Sequence, residues 1–325
     1  MKRHHFLHAL AACLLGAASL PAAQAQSATA YPSKPIRIVV GYTPGGANDI
    51  LARLVGQKMA ESFGQQVIIE NKPSTGAIIG TEMVAKAAPD GYTLTMGASG
   101  PIVFNPALYA RLPYNTQRDL APVSLVGSFP LILVVQAAGP HRSVKELAAY
   151  TRANPDKSNY GASAASFRLA TELLKSKAGM VAEHIPYKGS APAVQAVASG
   201  EVLMTLVDSG PAAGAIKGGL IRGLAVTSGK RMTALPDIPT MAEQGVDLQL
   251  TLWSGLLAPA GTPPAIIARL QAEVARIVRL PDVRERMLQL GIEPEGSTSE
   301  EFARIIATEI PLWSQVARAN NITAE

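Results

Sequence analysis

The sequence has few of the residues that carry most enzyme chemistry. It has one cysteine, Cys13, which lies in an N-terminal segment with the features of a removable leader. Without that segment the chain has no disulfide, no thiolate nucleophile and no cysteine metal ligand. Its remaining histidines, His141 and His184, lack the spacing of a metal site, and no G-x-S-x-G elbow is present. No catalytic set, metal or cofactor is therefore expected.

Basic residues are scattered and aromatic residues are scarce. The formal charge is +5, and loss of Lys2 and Arg3 with the leader gives 5 − 2 = +3. Because no basic run is interleaved with aromatic residues, no nucleic-acid partner is expected. A mildly basic surface does suit small anions.

Residues 1–25 have the three-part pattern of a secretory signal peptide: a basic start, an apolar middle and an A-x-A site at 23–25. Cleavage near Gln26 and export to the periplasm are expected. A membrane anchor is an alternative, but the apolar stretch is short against the roughly 20 residues that span a bilayer. Lipoprotein-type cleavage before Cys13 is another, although it leaves a very short apolar core.

Short apolar strands alternate with helices along the rest of the chain, which predicts parallel α/β layers. Predicted strands are 36–42, 66–72, 92–99, 158–163, 183–188, 202–208 and 221–227, and predicted helices include 46–62, 76–88, 167–177, 191–199, 211–217, 263–280, 281–290 and 299–319. Two longer extended segments, 123–136 and 248–260, suggest one strand leaving a first sheet and one returning. The length of the chain also suggests two domains.

The sequence thus predicts an α/β fold of two lobes, each a sheet flanked by helices, joined by two crossing strands. Lobe 1 is predicted to be discontinuous, 26–127 and 250–325, with lobe 2 inserted as 128–249. Ligands in such folds lie between the lobes, outside the carboxyl ends of the strands.

The segment GYTPGGANDILAR, residues 41–53, joins a predicted strand to a helix. It is neither G-x-G-x-x-G nor a P-loop, since Thr43 and Ala47 break the two patterns. Its glycines and the helix start expose backbone N–H groups that favour an anion. Asp49 either caps the helix or orients donors around a ligand. Gly46→Val is expected to block close backbone approach and weaken binding.

Further candidates follow other predicted strands. Ser163 and Ser166 either cap a helix or donate to a ligand. Lys188, after Tyr187, is a local positive charge or simply a solvated lysine. Asp208-Ser209-Gly210 resembles an aspartic-protease triplet, but no second triplet supplies the other carboxylate, so a polar cavity wall is favoured.

Several segments together resemble the tripartite tricarboxylate transporter substrate-binding proteins, also called the Bug family. They are YPSKPIRIVVGYTPGGANDILARLVGQKM, QQVIIENKPSTGAIIGTEMVAKAAPDGYTLTMG, NYGASAASFRLATELLK, HIPYKGSAPAVQAVASGEV, LPDIPTMAEQG and WSGLLAPAGTPPAII. They occur in order and span essentially the whole chain after the leader.

This resemblance implies a type II-like periplasmic binding protein whose lobes close on a carboxylated solute, partly through ordered waters. Carried over by position, the predicted ligand-binding residues are Tyr42, Pro44, Gly45, Gly46, Asp49, Ala98, Ser99, Ser163, Ser166, Tyr187 and Asp208. The segment ASAASFRLA departs from the family's usual pattern, and its Arg168 either pairs a second carboxylate or is a first-turn surface residue.

The resemblance implies a monomeric receptor, not an enzyme, that passes a small organic acid to the membrane permease subunits of a transporter. Two alternatives remain open. One is a periplasmic hydrolase using Asp208 and Ser163. The other is a receptor that docks on a sensor protein.

Overall fold

The computed structural model describes residues 31–162, 165–187 and 190–324. The predicted signal peptide, Cys13, Ser163 and Lys188 lie outside the described residues. Pro32–Glu325 group into one unit by their mutual contacts. Within the described ranges, no helix combines the length and apolar character needed to cross a membrane.

The described part of the chain contains ten named strands and eleven α-helices. The strands are β1 (Ile36–Val40), β2 (Val67–Asn71), β3 (Thr93–Ala98), β4 (Leu120–Gln136), β5 (Asn159–Ala162), β6 (Glu183–Pro186), β7 (Met204–Asp208), β8 (Ile221–Val226), β9 (Thr251–Pro259) and β10 (Glu293–Pro294). The helices are α1 (Ala47–Phe63), α2 (Ile78–Ala85), α3 (Asn105–Leu108), α4 (Thr116–Asp119), α5 (Val144–Ala153), α6 (Ala165–Ala178), α7 (Ser190–Ser199), α8 (Ser209–Lys217), α9 (Pro264–Ile277), α10 (Pro281–Gln289) and α11 (Ser299–Ala319).

The strands are hydrogen-bonded in the order β2-β1-β3-β9-β4-β7-β5-β6, with β10 and β8 also paired to β4. Pairing is parallel within β2-β1-β3 and within β7-β5-β6. It is antiparallel wherever β4 or β9 takes part. The predicted parallel layers are therefore present, and the two long segments join them with opposite polarity.

Strand β4 belongs to both layers. Its first part, Leu120–Pro130, pairs with β9, and its second part, from Leu131, pairs with β7 and β8. We call β1, β2, β3, β9, β10 and the first part of β4 the first half-sheet, and β5 to β8 with the rest of β4 the second. The return connection runs through Leu250, whose N–H donates to Thr227 O at the end of β8. Two chain segments thus cross between the half-sheets.

Local signals account for the helix ends that the sequence predicted. Ser143 accepts a hydrogen bond from Glu146 N and caps α5. Thr298 and Glu301 form a complete capping box at the start of α11. The apolar side of α11 packs on the rest of the core, with Phe302, Ile306 and Trp313 buried. Side-chain packing of this kind supplies most of a helix's stability in a protein.

Candidate functional site

A cavity of about 600 Å³, here called the cleft cavity, lies between the two half-sheets. Predicted residues that line it are Tyr42, Ala98, Ser99, Ser166 and Asp208. Other lining residues are Ala47, Asn48, Thr75, Gly76, Gly100, Phe104, Asn105, Leu108, Tyr109, Phe129, Ala165, Phe167, Ser190, Leu252, Trp253, Ser254 and Ala324. The ends of β1, β3 and β7 and the starts of α1, α6 and α7 thus all contribute to the cavity lining.

Hydrogen-bond donors on the first half-sheet face this cavity. Helix α1 begins after Gly46 without a side-chain cap, so its first N–H groups, at Ala47 and Asn48, have no partner within the helix. The Tyr42 hydroxyl has no hydrogen-bond partner among the described residues. Burial, and then the neighbouring Tyr114, raises the pKa of Tyr42, so its hydroxyl stays protonated. These groups suit an anion without supplying a full positive charge.

Asp49 is part of the scaffold beneath the loop and does not line the cavity. Its carboxylate accepts hydrogen bonds from Gly45 N at 2.9 Å, from Arg53 and from Asn71. Burial alone would raise the pKa of Asp49, but these hydrogen bonds outweigh it and hold the pKa below its usual range. Asp49 does not cap α1, contrary to what one interpretation predicted; its hydrogen bonds tie the turn before α1 to β2.

The glycines of the opening loop differ in what they require. Pro44, Gly45 and Gly46 are exposed and do not line the cavity. Gly45 has φ +88°, a conformation that favours glycine. A Cβ on Gly46 would meet only Thr43 O, at 3.8 Å, so the fold itself does not require glycine there, and the expected effect of Gly46→Val on binding stays a prediction. The close approach occurs at Gly41, where a Cβ would lie 2.5 Å from Ala77 Cβ.

This difference gives a first prediction. Gly41→Ala is expected to lower the free energy of unfolding by about 1–3 kcal/mol, because the added methyl group overpacks against Ala77. Gly46→Ser is the matched control and is expected to be neutral or stabilising by a few tenths of a kcal/mol, since serine is a good N-cap residue. Urea denaturation of both variants measures the effect. Equal stability of Gly41→Ala and wild type would contradict it.

On the second half-sheet, Ser166 and Asp208 reach the cavity as predicted, while Ser163 lies outside the described residues. Asp208 ends β7 and accepts a hydrogen bond from Ser190 Oγ at 2.6 Å. It stands at the N-cap position of α8 but gives that helix no side-chain hydrogen bond. Its carboxylate therefore faces the cavity together with a hydroxyl from the start of α7.

Two predicted residues of the second half-sheet, Tyr187 and Arg168, also do not line the cavity. The Tyr187 hydroxyl donates to Glu201 Oε1 at 2.6 Å, and burial, with Glu201, raises the pKa of Tyr187 to about 12. Arg168 is half-buried beside β5 and β6, where burial and then the Arg168 charge lower the pKa of His184. Arg168 is thus neither a cavity residue nor a fully exposed surface residue.

Most of the apolar wall and several donors could not be recognised as site residues from the sequence. Phe129 and Trp253 come from the two crossing strands, where their apolar character predicted only burial. Thr75 and Asn105 are brought in by packing: Asn105 Nδ2 donates to Gly76 O at 2.8 Å and supports a left-handed residue there. One sequence signal did point to this wall. The segment WSGLLAPAGTPPAII, which resembles the family, begins with Trp253 and Ser254, and both residues line the cavity.

No lysine, arginine or histidine lines the cleft cavity among the described residues, and Asp208 is the only carboxylate that does. No cluster of three or more possible metal ligands occurs in the described ranges. A larger cavity of about 750 Å³, here called the α11 cavity, is lined by Glu309, Trp313 and other residues of α11. No predicted site residue lines it, so the cleft cavity is the candidate site.

The chain is similar to known proteins over most of its length. A family model described as "Tripartite tricarboxylate transporter family receptor" matches residues 51–322. A UPF0065 protein from the tcbD-tcbE intergenic region of Pseudomonas sp. (strain P51) is 38% identical over 297 residues, 90% of this chain and 88% of that one.

Two solved structures are similar over most of the chain. R. palustris Rpa4515 with adipate is 34% identical with a TM-score of 0.76, covering 90% of this chain and 99% of that one. The periplasmic binding protein BugD is 31% identical with a TM-score of 0.72, covering 91% and 100%. The predicted two-lobed α/β periplasmic-binding fold is confirmed.

Proposed function

We propose, since the chain belongs to the tripartite tricarboxylate transporter receptor family, that it captures a small carboxylate-bearing organic acid in the cleft cavity and delivers it to membrane permease subunits. The observation that carries this proposal is the cavity itself. It lies between two half-sheets and presents backbone and hydroxyl donors together with apolar side chains. Such sites hold a ligand through a few placed polar groups in a mostly apolar pocket.

The proposed ligand-binding residues are those that both the sequence and the cavity support: Tyr42, Ala98, Ser99, Ser166 and Asp208. Thr75, Asn105 and Trp253 are added from the cavity lining. Lobe 1 is proposed as 26–127 with 250–325, and lobe 2 as 128–249. Closure of the lobes would bring Ser166 and Asp208 toward a ligand held at the start of α1. The fraction of closed protein is then set by how much more tightly the closed state binds the ligand than the open state does.

The proposed location is the periplasm, after removal of residues 1–25, and the proposed state is a monomer. Family members are solute-binding receptors, which supports a binding function over the hydrolase alternative. Prolonged incubation of the protein with its ligand, followed by mass spectrometry of the ligand, distinguishes a receptor from a hydrolase. A hydrolase would change the mass of the ligand, and a receptor would not.

The binding proposal gives a second prediction. Isothermal titration of ligand-stripped protein is expected to show binding of at least one acid in a panel of mono- and dicarboxylates that includes adipate. Tyr42→Phe is expected to weaken that binding about tenfold, because a hydrogen bond to a charged group is removed, while stability changes little. A folded protein that binds no acid in the panel would contradict the proposed function.

Delivery is tested separately. Deleting the gene is expected to abolish uptake of the bound acid, and the wild-type gene is expected to restore it. If uptake is unchanged and only a transcriptional response to the acid is lost, the sensor-docking alternative is the correct one.

A further inference from the structure

The charge of the cleft cavity is unusual for a site that accepts acids. Among the described residues its only ionisable carboxylate is Asp208, and no basic side chain offsets it. The two arginines closest in sequence to the predicted site residues are held elsewhere. Arg53 is paired with Asp49 at 2.9 Å, and Arg168 lies beside His184. The described lining therefore has one acidic side chain and no basic one.

The Asp208 carboxylate is left available by the surrounding fold. Its one hydrogen bond among the described residues comes from Ser190 Oγ to Oδ1. The helix that it precedes, α8, takes no cap bond from it, and no ion pair involves it in the described ranges. A half-buried carboxylate with an open oxygen needs a donor, because leaving it unpaired as a ligand closes over it is costly.

The first half-sheet contributes donors to the same cavity. Helix α1 begins there with unbonded N–H groups, and the Tyr42 hydroxyl faces the same space. The apolar side chains of Phe129, Phe167 and Leu252 line the same space. The lining thus combines uncharged donors, apolar side chains and a single carboxylate acceptor.

On the basis of the proposed function, we propose that the ligand is a monocarboxylic acid with a hydrogen-bond donor, an amino or hydroxyl group, at its other end. Its carboxylate lies against the start of α1, its chain lies against the apolar wall, and its donor bonds Asp208. A second carboxylate would face Asp208 across a partly desolvated cavity, where like charges repel strongly. The selectivity against dicarboxylates then comes from one residue.

Chain-matched ligands test this directly. The titration uses adipate, 6-aminohexanoate, 6-hydroxyhexanoate and hexanoate, with succinate, 4-aminobutanoate and 4-hydroxybutanoate as the shorter set. For wild type, the amino or hydroxy acid is expected to bind at least tenfold more tightly than the dicarboxylate of the same length. Hexylamine, which lacks the carboxylate, is expected to bind at least tenfold more weakly than 6-aminohexanoate.

Asp208→Asn supplies the matched variant, and Asp156→Asn, at an exposed position outside the cavity, is its control. Asp208→Asn is expected to bind 6-aminohexanoate and 4-aminobutanoate at least tenfold more weakly than wild type, and to bind adipate and succinate more tightly. Its thermal midpoint is expected to stay near that of wild type. Tighter binding of the dicarboxylates by wild type, or no change in preference in Asp208→Asn, overturns this inference and leaves the proposed function standing. Failure of every acid to bind overturns the proposed function instead.

Discussion

Glu309→Gln is expected to stabilise the protein above pH 7 and to leave its stability unchanged near pH 4. Glu309 lies on α11, lines the α11 cavity and accepts a hydrogen bond from Trp253 Nε1 at 3.0 Å. Burial raises the pKa of Glu309 to about 7 from 4.5, although Trp253 and the nearby Trp313 act in the opposite direction. Trp313 Nε1 is buried and has no hydrogen bond of normal geometry, so we assign the paired donor to Trp253.

The sign follows from proton binding. Between pH 4.5 and 7 the folded state keeps the Glu309 proton while the unfolded state loses it, so stability falls as pH rises through this window. The full loss above pH 7 is about 3 kcal/mol, at 1.36 kcal/mol per pKa unit. Glutamine keeps an acceptor for Trp253 and does not ionise, so the variant avoids that loss.

Thermal denaturation from pH 4 to pH 8.5 measures this difference. The thermal midpoint of Glu309→Gln is expected to exceed that of wild type by several degrees at pH 8, with the gap closing at pH 4. Glu300→Gln is the control, because Glu300 is exposed on the same helix. If the difference in thermal midpoint between Glu309→Gln and wild type does not change with pH, the pKa of Glu309 is not raised by the fold.

Trp253→Ala is expected to cause the largest loss of stability among these substitutions, about 3–5 kcal/mol. Trp253 is 2% exposed, and its ring meets Phe302 edge-on at 5.1 Å. It lies on the crossing strand β9, lines the cleft cavity and donates to Glu309 beside the α11 cavity. Its removal leaves a large void and leaves the half-buried Glu309 carboxyl group without its donor.

Trp253→Phe separates these two effects. It keeps most of the aromatic packing but removes the indole N–H, so the pKa of Glu309 is expected to rise further. Urea denaturation is expected to show a small loss of stability at pH 4.5 and a larger one at pH 8. If Trp253→Phe and wild type have the same pH dependence, the hydrogen bond does not control Glu309.

The order of strands and helices could be predicted because its signals are local. Ser143 with Glu146 marked the start of α5, and the alternation of apolar strands with helices located each main element within a few residues. The turn at Gly100–Phe104 and the short helices α3 and α4 were missed. They are too short for a periodic pattern, and tertiary contacts hold them: Thr116 Oγ1 donates to Ile102 O at 2.8 Å.

The candidate site could be predicted only in part. The sequence located the start of α1 and the ends of β3 and β7, because a strand end or a helix start is a local property that also places backbone donors. It also placed Asp208 at a cavity wall. The sequence could not decide the direction of a side chain. Arg168 and Asp208 each lie beside a helix start, yet Arg168 packs beside His184 while Asp208 lines the cavity.

The sequence by itself determined the α/β class and the two crossing segments, since these depend on composition and periodicity along the chain. Only the tertiary structure decided which loop glycine is sterically required, that Asp49 supports the loop, and that Trp253 contacts both the cleft cavity and Glu309. The physical reason is that these properties depend on atoms far apart in sequence. Gly41 is limited by Ala77, and Trp253 is paired with Glu309.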